Sequence, residues 1–361
     1  MQMLTRAVIV AALLSASAAN ASATETLRAD DARITRMGRT VAEPDGTVRF
    51  GYSGVTLSLA VQGSRLAMEA AGGGANSMVD VVVDGGAPTV LQLDPQARTY
   101  ELLKDAGPGP HLVDIVHRTE TWLGVPAIAR FSTDGHVVQA PALPSRKLLV
   151  LGDSVTCGAG MERPSGPDAA DKGKPSWWNA GASYGMLLGQ ALHAQVQLVC
   201  YGGRGLVRSY NNRTDEYQLP AFYELAIPDA AHPVKWKQAD YDPDLILVTI
   251  GTNDFTQGIP ERTAYVDAYV AFVRTLLRDH PHAQIALSEG AILDGEKKAA
   301  LTDYIAATVA RVGATKADAQ RVRAIPSIHH PGDAADAHPL TAQHAEMARE
   351  LAPQLQALMG W

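Results

Sequence analysis

The stretch Leu148-Leu149-Val150-Leu151-Gly152-Asp153-Ser154 decides how the chain is read. Four apolar residues in a row suit a strand covered on both faces, as in a parallel sheet. Gly-Asp-Ser then breaks the run and places a hydroxyl at the strand end. Three further runs repeat the pattern: Val196 to Val199, Leu245 to Ile250 and Ile285 to Leu287. Helical periods lie between and after them. Tyr265, Tyr269, Phe272, Val273, Leu276 and Leu277 fall on one helical face, and that helix stops before Pro281. Thr341 can cap a last helix whose apolar face includes Ala345, Ala348, Leu351, Leu355 and Leu358. Strands alternating with helices predict a doubly wound α/β fold, in which ligands bind beyond the carboxyl ends of the strands.

Upstream the period changes. From about residue 40 to residue 131 the chain has β character. Val55, Leu57, Leu59 and Val61 alternate with Thr56, Ser58 and Ala60, and Val79, Val81 and Val83 flank Asp80. Asp84-Gly85-Gly86 signals a turn, and His111 to His117 forms another run after Pro108-Gly109-Pro110. Short strands with regular Gly and Pro punctuation predict a jelly-roll-like β-sandwich. Trp122 is the only Trp of this segment, and core packing is its default role. Pro141 and Pro144 make a stiff connector, a plausible domain boundary.

The 361 residues suffice for two such domains. Apolar residues make up 46% and charged residues 19%, a balance that supports packed cores. Net charge is −7 with no long basic run, which argues against nucleic acid as a partner. Arg6, the apolar stretch Ala7 to Ala19 and the small-x-small pattern Ala21-Ser22-Ala23 read as a secretory signal. The expected division is a leader over 1–23, a β-sandwich over 24–140 and an α/β domain over 145–361, in a secreted or periplasmic protein without a membrane span. Cys157 and Cys200 are the only cysteines. They could pair in an oxidising compartment or sit as two small buried apolar side chains.

Four polar clusters follow the strands. Gly152-Asp153-Ser154 could hold a nucleophile on a tight strand-to-helix turn, its own N–H aimed at an oxyanion and aided by a helix N-terminus, or could simply cap that helix. Gly202-Gly203-Arg204-Gly205 offers an unhindered N–H or an ordinary turn. Gly251-Thr252-Asn253-Asp254 supplies a neutral carboxamide donor suited to an oxyanion, or a turn in which Asn253 bonds its own backbone. Asp336-Ala337-His338-Pro339 precedes the last helix. His338 there could take the Ser154 proton while Asp336 fixes its tautomer. A rival grouping of His329, His330, Asp333, Asp336 and His338 as a metal site fits no common ligand spacing.

In this order the clusters resemble the four sequence blocks of SGNH (GDSL-type) hydrolases. The resemblance assigns Ser154 as nucleophile and His338 as base. It assigns the Ser154 and Gly203 N–H groups and Asn253 as oxyanion donors. A β-sandwich followed by such a domain is the layout of carbohydrate esterase family 2. His117-Arg118-Thr119-Glu120, Gly203-Arg204-Gly205-Leu206, Gly251-Thr252-Asn253-Asp254-Phe255 and the closing Met359-Gly360-Trp361 are similar to that family. It implies removal of acetyl groups from plant cell-wall polysaccharides such as xylan and glucomannan, without metal or organic cofactor. Two positions depart from the usual pattern. The acid often lies three residues before the His, here Ala335, and an aromatic often stands where Ala337 does. A backbone carbonyl orienting His338 is therefore the alternative to Asp336. The breaker-rich segment from Met161 to Tyr184 is expected to form the acceptor site, with Trp177 and Trp178 either stacking on sugar or pinning the loop. The competing functions are a lipase or thioesterase on the same scaffold, and a carbohydrate-binding protein with a vestigial site.

Overall fold

A computed structural model of the chain describes residues 24–107, 109–164, 173–314 and 320–361. The expected leader lies outside them, as do residues 165–172 of the expected acceptor loop. Two six-stranded antiparallel sheets form the first half. In one, Thr56–Gln62 and Pro110–His117 pair from Thr56↔Val116 to Gln62↔Pro110, and Met78–Val83 lies on the far side of Pro110–His117. The other is centred on Ala127–Thr133, between Glu25–Arg28 and Leu66–Ala71. The alternation read in the sequence turns Leu57, Leu59, Val61, Val113 and Ile115 of one sheet and Met68, Ile128 and Phe131 of the other into one buried core.

The second half is a five-stranded parallel sheet in the order Ala194–Cys200, Arg146–Gly152, Leu245–Thr249, Gln284–Ser288, Val322–Ala324. Chain order along the sheet is thus 2-1-3-4-5, with its topological switch between the first and third strands. Both faces are covered. Leu148 and Val150 pack with Tyr184, Leu188, Met347 and Leu351 of helices Tyr184–Leu192 and Thr341–Met359. Leu149 and Leu151 join the opposite core, which contains Tyr265, Tyr269 and Leu301 of helices Arg262–Asp279 and Gly295–Val312. That core runs on without a break into the sandwich.

Three local readings are corrected. Thr341 is the first residue of the last helix and not its cap. Leu340 takes the cap position, its N–H donating to Gln343 Oε1 at 2.7 Å, while the Thr341 hydroxyl donates to the Met161 carbonyl at 3.1 Å. Ala345 faces solvent, and His344 and Met347 are buried in its place. No α-helix follows Ser154: residues 154–162 are successive turns, because Gly158 and Gly160 have φ of +72° and +64°, which a right-handed helix cannot continue through.

Candidate active site

Strand register brings the site together. Gly152 pairs with Cys200 on one side and Thr249 on the other, so three strands end level at the switch point. Ser154, Gly203 and Asn253 follow those ends within a few residues. A Cβ at Gly152 would stand 2.0 Å from Thr156 Oγ1, so only glycine lets the chain turn there. Gly203 has φ +74°, the left-handed region that glycine enters freely. Its carbonyl accepts the Tyr210 N–H at 3.0 Å. Among the described residues neither the Ser154 nor the Gly203 N–H has a hydrogen-bond acceptor.

The loop before the last helix closes the arrangement. Asp336 Oδ1 accepts from His338 Nδ1 at 2.7 Å, and His338 Nε2 lies 2.8 Å from Ser154 Oγ. An ionised carboxylate only accepts, so Nδ1 carries the proton and Nε2 is left to accept the serine hydroxyl. Half-burial opposes charge on Asp336, but the hydrogen bond and charge of His338, with Arg163 nearby, outweigh it and hold the carboxyl at about 2. Asp336 therefore takes the orienting place beside the ring from a position two residues before it, where the alternative was a backbone carbonyl.

Arg163, which the sequence reading passed over, anchors this loop. It is 4% exposed and donates to the Asp336 carbonyl at 2.8 Å and the Gly160 carbonyl at 2.9 Å. Its Nη2 also lies 3.4 Å from Asp333 Oδ1, which accepts the Ala335 and Asp336 N–H groups at 2.9 and 3.1 Å. The side chains of the rival metal grouping scatter. His330 meets Glu350 at 3.1 Å and His329 meets the Ala291 carbonyl at 3.1 Å.

Asn253 is buried, its Nδ2 donating to the Arg204 carbonyl at 2.8 Å and lying 3.4 Å from Asp153 Oδ2. Burial pushes the Asp153 carboxyl up to about 6. Cys157 and Cys200 form a disulfide, joining the turn after Ser154 to the strand that leads to Gly203. Sequence left that pairing open.

Ser154 and His338 open into a cleft of about 760 Å³. Trp178 lines it; Trp177 does not, and instead stacks under Lys174, whose Nζ is 5.8 Å from the ring centre. Trp178 is 7% exposed, its indole N–H bonded to Glu120 Oε1 at 2.9 Å and its ring edge-on to Trp122 at 5.9 Å. Trp122 departs from its expected core role: it is 52% exposed and forms part of the cleft wall. Sequence carried no signal for this, because the contact is made across the two domains.

Residues 36–141 match the family described as Carbohydrate esterase 2 N-terminal, and residues 150–355 match the GDSL-like Lipase/Acylhydrolase family. An acetylxylan esterase / glucomannan deacetylase of Cellvibrio japonicus is 49% identical over 341 residues, 94% of this chain and 93% of that protein. The solved structure of a family two carbohydrate esterase from Cellvibrio japonicus aligns with a TM-score of 0.89 at 49% identity, over 94% of this chain and 99% of that one. A family two carbohydrate esterase from Clostridium thermocellum, solved in complex with cellohexaose, aligns with a TM-score of 0.83 at 25% identity, over 91% and 99% of the two chains. With both halves matched in order and a relative this similar along nearly its whole length, the chain belongs to the GDSL-like hydrolases of carbohydrate esterase family 2 and is a carboxylic ester hydrolase.

Proposed function

We propose that this enzyme is an exported O-acetyl esterase that deacetylates plant cell-wall polysaccharide through an acetyl-enzyme on Ser154. The observation that carries the reading is the run of short contacts from Asp336 through His338 to Ser154 at the mouth of the cleft. His338 takes the hydroxyl proton as Ser154 Oγ attacks the acetyl carbonyl, and Asp336 stabilises the imidazolium that forms. The oxyanion is received by the N–H groups of Ser154 and Gly203 and by the Asn253 carboxamide, whose long 3.4 Å bond to Asp153 Oδ2 is exchanged for it. His338 returns the proton to the sugar oxygen as the alcohol leaves. Water, deprotonated by the same imidazole, then releases acetate. No step calls on a metal or an organic cofactor.

The name of the Cellvibrio relative supports acetylated xylan or glucomannan as the substrate class. The cleft wall supports it too: Arg204, Glu216, Asp294 and Lys297 line it beside the aromatic rings. Such a wall suits a hydroxylated acceptor better than a long acyl chain. Export rests on the leader-like residues 1–23; no helix among the described residues is long and apolar enough to cross a membrane. In this reading the mature protein starts at Thr24, with a sandwich domain to residue 140 and the catalytic domain from 145.

Acetate release from acetylated xylan, glucomannan and xyloglucan by the wild type and by Ser154→Ala tests the proposal. The expected result is release from at least one polymer by the wild type and none above background by the variant. Hydrolysis confined to long-chain acyl esters would favour the lipase reading. Polymer binding without any turnover would favour a vestigial site.

A further inference from the structure

Glu120 belongs to the first domain, yet its side chain is buried against the second and is only 2% exposed. One carboxylate oxygen accepts the Gly202 N–H at 2.5 Å and the other the Trp178 indole N–H at 2.9 Å. Among the described residues no Lys or Arg pairs with it. Arg118, two residues earlier, is engaged by Asp80 and Glu162. Burial therefore pushes the carboxyl up, with the hydrogen bonds from Trp178 and Gly202 pulling the other way. A buried carboxylate held only by neutral donors is a poor choice for stability, which turns attention to what it holds.

What it holds is the turn that carries an oxyanion donor. A Cβ at Gly202 would stand 2.8 and 2.9 Å from the two carboxylate oxygens, so Glu120 lies directly on that glycine's backbone. The next peptide N–H is that of Gly203. The 202–203 peptide thus lies between two anchored neighbours: the Gly202 N–H before it is held by Glu120, and the Gly203 carbonyl after it by the Tyr210 N–H at 3.0 Å. Freeing either neighbour would let the Gly203 N–H change direction in the cleft that Ser154 and Gly203 both line.

We propose that Glu120 is a positioning residue for ester hydrolysis, a carboxylate lent by the sandwich domain that aims the Gly203 N–H at the developing oxyanion. The inference rests on the reading of Ser154 and Gly203 given above. It makes the first domain a working part of the active site.

The experiment measures Glu120→Ala and Glu120→Gln in the full chain with p-nitrophenyl acetate, beside inhibition by methylboronic acid, which forms a tetrahedral adduct on a serine. Gln keeps the size of Glu but presents one acceptor where two N–H donors must be met. Removing an oxyanion donor outright lowers kcat by about 10²–10³-fold, so misaiming one is expected to cost about 10–100-fold in kcat with KM within about twofold. Methylboronic acid should weaken in step with kcat/KM, because adduct and transition state share the oxyanion. A merely structural role would lower the melting temperature and leave boronate affinity per folded molecule unchanged. If Glu120→Ala does not fold, Glu120→Gln decides. Wild-type kcat in Glu120→Gln, or a loss confined to KM, overturns the proposal. Ser154→Ala run alongside separates the two claims: full activity there defeats the catalytic reading itself, while an inactive Ser154→Ala beside an unaffected Glu120→Gln defeats only the role of Glu120.

Discussion

In the proposed reaction Ser154 is a weak nucleophile until a base takes its proton, and His338 Nε2 lies 2.8 Å from its hydroxyl. Ser154→Ala and His338→Ala should each lower kcat by several orders of magnitude, with the double variant little worse than either, since the two act as one unit. Asp336→Asn should cost about 10⁴-fold if the carboxylate fixes the tautomer. Steady-state rates on p-nitrophenyl acetate check both. Asp153 makes a separate prediction. Its folded carboxyl sits at about 6, above the ordinary value of about 3.9. The folded state then binds the extra proton, so stability falls as pH rises from about 4 to 6 and the penalty is complete above that. Asp153→Asn removes this dependence: the melting-temperature difference between variant and wild type should shift in the variant's favour over that window and level off above it. A difference independent of pH would contradict the account. At this scale the grouping of Ser154, Gly203, Asn253 and His338 around one cleft was legible because each sits in a short polar cluster next to an unbroken apolar run or before the last helix. Glu120 and Arg163 were not. Their importance lies in contacts with residues 82 and 173 positions away, and no local pattern encodes such a pairing.

Among the elements, four strands of the parallel sheet and the helices Arg262–Asp279 and Thr341–Met359 were legible from periodicity; the helix Gly295–Val312, also 18 residues long, was not. Val322–Ala324 is only three residues long, too short for any period to register. Trp177 ends a single 3₁₀ turn, Pro175–Trp177, and Trp178 follows it, too short a piece for periodicity to tell which of the two enters the cleft. The helix expected after Ser154 fails because the glycines that end it serve the turn's close packing: a Cβ at Gly158 would stand 2.6 Å from the Asn179 carbonyl oxygen. The disulfide stabilises this non-helical segment from outside. It closes a loop with a sequence separation of 43, so replacing both cysteines by Ala should lower unfolding free energy by about 2–4 kcal/mol. Denaturant melts of the oxidised wild type and the double variant measure it, and equal midpoints would contradict it. Trp122 and Tyr210 are exposed rings of the cleft wall, and Trp122 is the one contributed by the first domain. If it stacks on the acceptor sugar, Trp122→Ala should reduce acetate release from polysaccharide far more than hydrolysis of p-nitrophenyl acetate, which has no sugar. Equal losses on both substrates would make the ring structural.

At the scale of the whole molecule the two domains share one interior. Arg39 of the first domain is fully buried, donating to Gln197 Oε1 at 2.9 Å and to the Tyr223 and Leu225 carbonyls at 2.5 and 2.7 Å, and the Tyr52 hydroxyl donates to the Phe222 carbonyl at 2.5 Å. Those bonds tie buried backbone carbonyls of the second domain to side chains of the first. The change of period near the two prolines marks where one folding pattern gives way to the other in the sequence. It could not reveal that the cleft is walled from both sides, by Glu120 and Trp122 from one domain and by the catalytic loops from the other. The reaction assigned to that cleft is most directly tested by looking for its intermediate. Rapidly quenched enzyme mixed with an acetylated xylo-oligosaccharide should carry one added acetyl group, located by peptide mass spectrometry on Ser154 and absent from Ser154→Ala. Acetate release by Ser154→Ala at the wild-type rate, or an acetyl group found on another residue, would contradict the account.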